Sequence, residues 1–491
     1  MRIEIFPWGA PSLQTEQPEG LLLSQILDRG GVPLPRYCGG KGTCGKCKVR
    51  AEGALSPWTE AERNRLTPQE RQNHIRLACQ CRAMGDCRIE LLAPAGQMEG
   101  LTGGKEFFPA VNPVTGTKEC FAAAVDIGTT TVAAYLYRMP AGRKVAESCR
   151  ANPQAVFGAD VLSRIEAWDN GHGHALQKSI RDTLQTIAGE WNVPVEAWVI
   201  TGNTSMLHLL TGKNPHSIAV APFQPESLFG EWVQNVYFPR CISAYVGADI
   251  TTAIVASGML STSTALLADI GTNGELVLKK NGSLFCCSTA AGPALEGAGI
   301  SMGMPALQGA ICRVWTDPHR RIQYQTVGNG PPVGICGSGL VDAVACMLEE
   351  NILDETGRLD APFPVGDSPV VLTPEDIRNL QLAKAAIRAG IDTLLQENGL
   401  SCAGLDAFFL AGGFGNNLNL QSCIRIGLFP PELSPRQLRP VGNAAGVGAC
   451  MLLHDRDLLA KSEQIARSAA VTELATNPIF LDAFVERMLF E

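Results

Sequence analysis

Cys38, Cys44 and Cys47 stand at CxxxxxCxxC spacing within RYCGGKGTCGKCKVR (36–50), and three thiolates so placed hold a metal centre if a fourth joins them. The best candidate is Cys79 in RLACQC, 32 positions after Cys47. Glycines 39, 40, 42 and 45 suit a loop whose amides turn inward, because backbone N–H groups donate to sulfide and thiolate sulfur. A four-cysteine set takes zinc or iron–sulfur. Zinc sites usually pair their cysteines as two CxxC-like knuckles, so three clustered cysteines and a distant single one favour [2Fe–2S]. Cys81 competes with Cys79, since alternate residues of a strand share a face.

A second set of chemistry-bearing residues occurs twice. AAAVDIGTTTVAAYLY (122–137) and ALLADIGTNGELVL (265–278) both read strand, DIGT turn, strand, with Asp126 and Asp269 separated by 143 residues. Turns of Gly and Thr offer many N–H donors without side-chain bulk, as an ATP phosphate chain requires. Gly128, Thr129, Thr130 and Thr131 are expected on one side of the phosphates, and Gly271, Thr272 and Asn273 on the other. Asp126 and Asp269, at strand ends, are expected to face Mg²⁺ through water. Taken singly, each is also an ordinary hairpin.

Further glycine motifs favour the nucleotide reading. FFLAGGFGNN (408–417) runs a strand into Gly412 and Gly413, with Asn416 beyond, as needed where backbone passes close to a base. GICGSGLVDAVA (334–345) opens a helix at Gly337 and Ser338, an anion site by its amides. STAAGPALEGAG (288–299) sets Glu296 where it meets a ribose. YVGADITTAIVA (245–256) and VGNAAGVGACML (441–452) are small-residue helices suited to close packing at a hinge. Asp249, at the start of the first, positions water or Mg²⁺, or is a plain helix N-terminal acid.

The elements that must carry these residues divide the chain. At 491 residues it has room for about three domains. Residues 1–92 contain 13 Lys and Arg against 10 Asp and Glu, so this stretch is near +3 and the rest near −11, out of −8 in total. Arg36, Lys41, Lys46, Lys48 and Arg50 surround the cysteine loop and read either as a solvated face or as a docking patch for an acidic partner. Residues 93–119 are a Gly- and Pro-rich linker, ordered in part by Phe107 and Phe108. From 120 onward, apolar strands, glycine turns and helices alternate as in an α/β protein, with one half at 120–264 and a second at 265–491.

Composition excludes several classes. The acidic balance argues against nucleic-acid binding, and no apolar run reaches the ~20 residues of a membrane span. The start, MRIEIFPWGA, lacks a secretory h-region, so a cytoplasmic protein is expected. Seventeen cysteines, an odd number scattered through apolar contexts, speak against a disulfide framework. In NPIFLDAFVERMLFE, Phe480 and Phe484 at helical spacing suggest core packing first and a homodimer contact second.

Residues 1–92 resemble β-grasp [2Fe–2S] ferredoxins of the vertebrate-type and related bacterial class, which implies Cys38, Cys44, Cys47 and Cys79 as cluster ligands. The motif order after residue 120 is similar to that of the acetate and sugar kinase, Hsp70 and actin superfamily, which implies two RNase H-like halves closing over ATP. The whole chain resembles the ATP-dependent reductive activators of corrinoid proteins: NPQAVFGADVLSRI (152–165), TGNTSMLHLLTG (201–212), the paired DIGT hairpins and LAGGFGNN all look like that family's landmarks. The resemblance implies reduction of inactive Co(II) to Co(I), with a ferredoxin or flavodoxin as electron donor. A redox-regulated small-molecule kinase and an ATP-switched redox sensor or chaperone are the alternative readings. An activator of 2-hydroxyacyl-CoA dehydratases is disfavoured by the separate N-terminal ferredoxin.

Overall fold

A computed structural model describes residues 1–7, 11–32, 34, 40–42, 45–92, 108–413 and 418–490. The chain forms two compact units, Met1–Gln97 with Ala151–Ile180, and Met98–Arg150 with Arg181–Glu491.

In the first unit, the alternating sequence RIEIF makes the strand Arg2–Phe6, which buries Ile3 and Ile5 on one face. The sheet order is Leu13–Glu16, Arg2–Phe6, Ala83–Leu91, Lys48–Leu55, Ile75–Leu77, with Arg2–Phe6 parallel to Ala83–Leu91 and the other pairs antiparallel. The helix Leu23–Arg29 lays Leu23, Ile26 and Leu27 onto this sheet, the mixed arrangement of a β-grasp fold. Thr59 caps the short helix Glu60–Arg65, and Glu62 on it is wholly buried against Arg76 at 2.8 Å. The segment Ala151–Ile180 carries the helix Val161–Ala167, capped by Asp160 and tied by Arg164 to the Gly158 carbonyl at 3.0 Å.

The expected basic patch is largely neutralised at short range. Lys48 pairs with Glu70 at 2.6 Å, Arg50 with Glu90 at 2.8 Å and Lys41 with Glu166 at 3.2 Å. A solvated, paired face is therefore the better description of Lys41, Lys48 and Arg50, and exposed pairs of this kind contribute little to stability. Arg36 lies outside the described residues.

The second unit holds two sheets built alike. One runs Glu231–Val233, Val236–Phe238, Val195–Gly202, Cys120–Ile127, Thr131–Met139, Arg143–Ala151; the other runs Leu438–Gly442, Ala407–Ala411, Thr264–Ile270, Gly274–Lys280, Ser283–Thr289, Ala470–Val471. In each, an antiparallel hairpin is followed outward by a parallel strand, Val195–Gly202 beside Cys120–Ile127 and Ala407–Ala411 beside Thr264–Ile270. The near-continuous apolar strands AAAVDI, ALLADI and AFFLA are buried on both faces, as parallel neighbours covered by helices require. These are the two RNase H-like halves.

Two small-residue helices join the halves at their centre, Ala248–Ser257 and Ala444–His454. They approach so closely that a Cβ on Gly448 would lie 2.1 Å from the Thr252 carbonyl oxygen. Residues 108–119 of the expected linker pack onto this unit. Phe108 is buried, its ring 5.2 Å from His454 and 5.8 Å from Tyr137, and its amide donates to the Gly142 carbonyl. Phe107 lies outside the described residues. Phe480 and Phe484 rest on the core of the second half, while Leu481, Val485 and Leu489 are exposed. No helix among the described residues is long and apolar enough to cross a membrane.

Candidate functional site

The thiol site is built where two strands bring distant cysteines together. Lys48 pairs with Leu77 across the sheet, and the Ala78 amide donates to the Cys47 carbonyl at 2.8 Å, so Cys47 and Cys79 leave neighbouring strands side by side. The loop folds over Cys79: a Cβ on Gly40 would sit 4.0 Å from that of Cys79, and Gln80 donates to the Gly40 carbonyl at 2.7 Å and to the Cys79 sulfur at 3.6 Å. Gly40, Gly42 and Gly45 have φ of +84°, +76° and +67°, and a Cβ on Gly42 would meet that of Ala61 at 2.8 Å. Cys38 and Cys44 lie outside the described residues.

Cys81 takes a different position. Residues 78–80 form a turn rather than a continued strand, so the alternation that makes Cys81 equivalent to Cys79 does not apply. The Cys81 thiol points into the core, fully buried, and burial pushes its pKa up to about 12. Thiols elsewhere behave as small hydrophobes: among the described residues the cysteines are free, and only Cys149 and Cys312 are less than fully buried. Two buried thiols, one of them facing Gly40, fit the sulfur chemistry of an iron–sulfur cluster.

The second site is a cleft between the two halves of the larger unit. Asp126 and Asp269 end equivalent strands, and their hairpins turn through Gly128–Thr130 and Gly271–Asn273, closed by Gly128 N–H to Thr131 O at 2.8 Å and Gly271 N–H to Asn273 O at 3.0 Å. Asp126, Gly128, Thr129, Thr130, Thr131, Asp249, Asp269, Gly271, Thr272, Asn273, Glu296, Gly412 and Gly413 all line this one cleft. Asp249 is a first-turn acid of Ala248–Ser257 whose Oδ1 accepts from Ile250 N–H at 2.8 Å, and it also lines the cleft.

Gly337 and Ser338 begin the helix Gly337–Glu349 but are not among the cleft-lining residues; Ser338 is buried and its hydroxyl donates to the Cys312 carbonyl at 2.9 Å. Glu296 lies against the two hairpin turns, where Thr130 and Thr272 donate to it at 3.1 and 2.6 Å. Asn416 lies outside the described residues. Gly412 is required for its own reason: with φ +89°, a Cβ there would stand 2.9 Å from the Asp269 carboxylate.

Sequence reasoning missed three polar residues of the cleft. Asn203 donates to Thr129 Oγ1 at 3.1 Å, and Asn443 caps its helix through Gly446 N–H at 2.8 Å while hydrogen-bonding Asp126. Both follow a strand-ending glycine, Gly202 and Gly442, and that repeated Gly-Asn was the available signal. Glu275 is the third. It stands opposite Asp269 in the second hairpin, where the first hairpin sets Ala133 opposite Asp126.

Crowded carboxylates define the electrostatics. Burial, then the charge of Asp269, pushes Asp126 up to about 7, against the pull of Asn443. Burial and then Asp126 and Asp269 raise Asp249 to about 8; burial and then Glu296 raise Asp269 to about 6. Glu275 is raised well above the usual range by burial, then Asp249 and Asp269. Among the described residues no Lys or Arg lines the cleft, so an anion there would be compensated by bound cations and backbone amides.

Fold and sites together define a two-part enzyme, a β-grasp thiolate unit joined to a nucleotide cleft of the acetate and sugar kinase, Hsp70 and actin type. Family models match accordingly: the C-terminal domain of RACo, the ASKHA domain, over residues 263–491; the RACo middle region over 121–262; and the 2Fe-2S iron-sulfur cluster binding domain over 10–84. The chain is 32% identical over 422 residues to the corrinoid activation enzyme RamQ of Eubacterium limosum, spanning 76% of this chain and 71% of that protein. It is 27% identical over 285 residues to the [Co(II) methylated amine-specific corrinoid protein] reductase of Methanosarcina barkeri, about half of each at 52%. A solved reductive activator for corrinoid, iron-sulfur protein superposes with a TM-score of 0.68 at 28% identity, covering 100% of this chain and 98% of that one. The chain belongs to the RACo family of corrinoid activation enzymes.

Proposed function

We propose that this enzyme uses ATP to drive one electron from an N-terminal [2Fe–2S] cluster onto the Co(II) of a corrinoid protein, giving the nucleophilic Co(I) form that accepts methyl groups. The observation that carries the reading is the presence, in one chain, of paired thiols under a glycine loop and of a carboxylate-floored cleft between two Gly-Thr hairpins. The names of the two relatives and of the solved activator support it.

Cys38, Cys44, Cys47 and Cys79 would hold the cluster, with Cys79 rather than Cys81 as the fourth ligand because Cys79 faces Gly40 and Gln80. When bound, a [2Fe–2S] cluster supplies one-electron transfer at potentials near −400 mV in plant-type ferredoxins. The electron lost there is replaced by a low-potential donor of the ferredoxin or flavodoxin class.

Asp126 and Asp269 would hold Mg²⁺, and the amides and hydroxyls of both hairpins would receive the phosphates. Asp249 and Glu275 line the same cleft beside Asp126 and Asp269, where they would position water near the phosphates. Closure of the halves over nucleotide would pivot on the contact between Ala248–Ser257 and Ala444–His454. Coupling arises because closed and open forms differ in affinity for the Co(II) and Co(I) partner.

We assign the chain to the cytoplasm, its domains to 1–92, 120–264 and 265–491 with a linker at 93–119, and the exposed Leu481, Val485 and Leu489 to a homodimer contact. The test is a Cys79→Ser protein. It should bind MgATP with unchanged affinity and fail to generate Co(I); activation by that variant would refute the electron route.

A further inference from the structure

The cleft already contains a carboxylate where phosphate oxygens are needed. Glu296 closes the short turn Pro293–Glu296, between Gly292 at φ +74° and Gly297 at φ +80°. Its two oxygens are divided between the two halves: Thr130 of the first hairpin donates to Oε1 at 3.1 Å, and Thr272 of the second donates to Oε2 at 2.6 Å. Thr130 and Thr272 lie in the turns of the two DIGT repeats, one position out of register, since the repeat places Thr272 opposite Thr129. A Cβ on Gly271 would lie only 3.6 Å from Glu296 Oε1, so the carboxylate sits against the turn itself.

An acceptor with two oxygens bridging two facing hydroxyl donors reproduces part of what a phosphate group does there. We infer that Glu296 is a latch on the nucleotide cleft, an internal phosphate mimic that must leave the Thr130 and Thr272 hydroxyls before nucleotide phosphates take them. The inference rests on the ATP reading of the cleft and adds a direction to it. Two anions cannot share one set of donors in a site whose described lining holds no Lys or Arg, so bound phosphate and the latched position of Glu296 exclude each other. Withdrawal of the carboxylate frees both halves at once and ties lobe movement to phosphate rather than to the nucleoside.

This distinguishes Glu296 from a ribose ligand by the sign of its effect. A ribose contact removed by mutation weakens every adenine nucleotide. A latch removed by mutation tightens ATP and ADP and leaves adenosine unchanged.

The experiment is calorimetric titration of the full-length, cluster-loaded protein and its Glu296→Gln variant with MgATP, MgADP and adenosine. Glutamine keeps the shape, loses the charge and retains only one acceptor oxygen. Loss of a charge-assisted hydrogen bond and of a like charge should tighten MgATP by about tenfold or more. Adenosine affinity should stay within twofold, roughly the scatter of a neutral change. Weaker or unchanged MgATP binding by a folded Glu296→Gln protein overturns the latch, and equal weakening of ATP and adenosine restores the ribose role. Glu296→Ala, folding checked by thermal melt, must shift ATP in the same direction or the latch is again refuted. Failure of the unmodified protein to bind MgATP would refute the ATP reading itself, which separates the two failures.

Discussion

Replacing Glu62 by Gln should destabilise the thiolate unit far more than an ordinary single change. Glu62 is wholly buried and accepts from Arg76 Nε at 2.8 Å, Arg76 Nη2 at 3.0 Å, Leu77 N–H at 3.1 Å and Thr59 N–H at 3.0 Å. Arg76 is also buried, with its guanidinium 4.2 Å from the centre of the Trp58 ring. Glutamine would turn an NH₂ group toward donors and leave a buried cation without its counter-charge, which costs about 3–5 kcal/mol. Leu77 stands two residues before Cys79, so the disturbance reaches the thiol site directly. The assay is anaerobic urea titration of the cluster-loaded protein, followed by visible absorbance. At roughly 1–3 kcal/mol per molar urea, the bleaching midpoint should fall by at least about 1 M. Glu62→Gln with Arg76→Met should recover part of the loss, since the stranded charge is gone. A single variant within about 0.3 M of the unmodified protein, or a double variant weaker than the single, would refute the reasoning.

Cys81→Ser should retain the visible spectrum after cluster loading while Cys79→Ser loses it; the opposite pattern would exchange their roles. Gly448→Ala should force the Ala248–Ser257 and Ala444–His454 helices apart, lowering the thermal midpoint by several degrees and abolishing ATP-dependent activation, since its Cβ would stand 2.1 Å from the Thr252 carbonyl. The cleft carboxylates give a pH dependence with a definite sign. Asp126, Asp269 and Asp249, at about 7, 6 and 8, hold protons in the folded chain that the unfolded chain releases near 3.8. Their contribution to stability is full below that unfolded value and is lost as pH rises through 6 to 8. In metal-free buffer, Asp249→Asn should therefore melt above the unmodified protein, by a margin that widens between pH 6 and 8; a margin independent of pH contradicts the assignment.

Much of this was legible because the chain repeats itself. Two DIGT turns in the same strand context mark both hairpins and both aspartates in the sequence alone. The cysteine spacing located the thiol site in the same way, but Cys79 and Cys81 were inseparable there because strand alternation was assumed and the chain turns at 78–80. Glu275 was invisible because its importance comes from cross-strand register with Asp269, which the sequence of the hairpin does not announce. Gly337 and Ser338 stayed ambiguous because a glycine-opened helix suits an anion and also suits close packing; a Cβ on the next glycine, Gly339, would stand 2.2 Å from the Ile311 carbonyl. Glu296 was expected in the cleft, yet its hydroxyl partners lie on two hairpins that only tertiary structure brings together.

The most direct test of the account is to follow the Co(I) absorbance of candidate corrinoid proteins mixed anaerobically with the cluster-loaded enzyme and a strong reductant, with and without MgATP. Co(I) should accumulate in at least one partner only when MgATP is present. Equal accumulation without nucleotide, or none across a broad set of corrinoid proteins despite a loaded cluster and bound ATP, would contradict it.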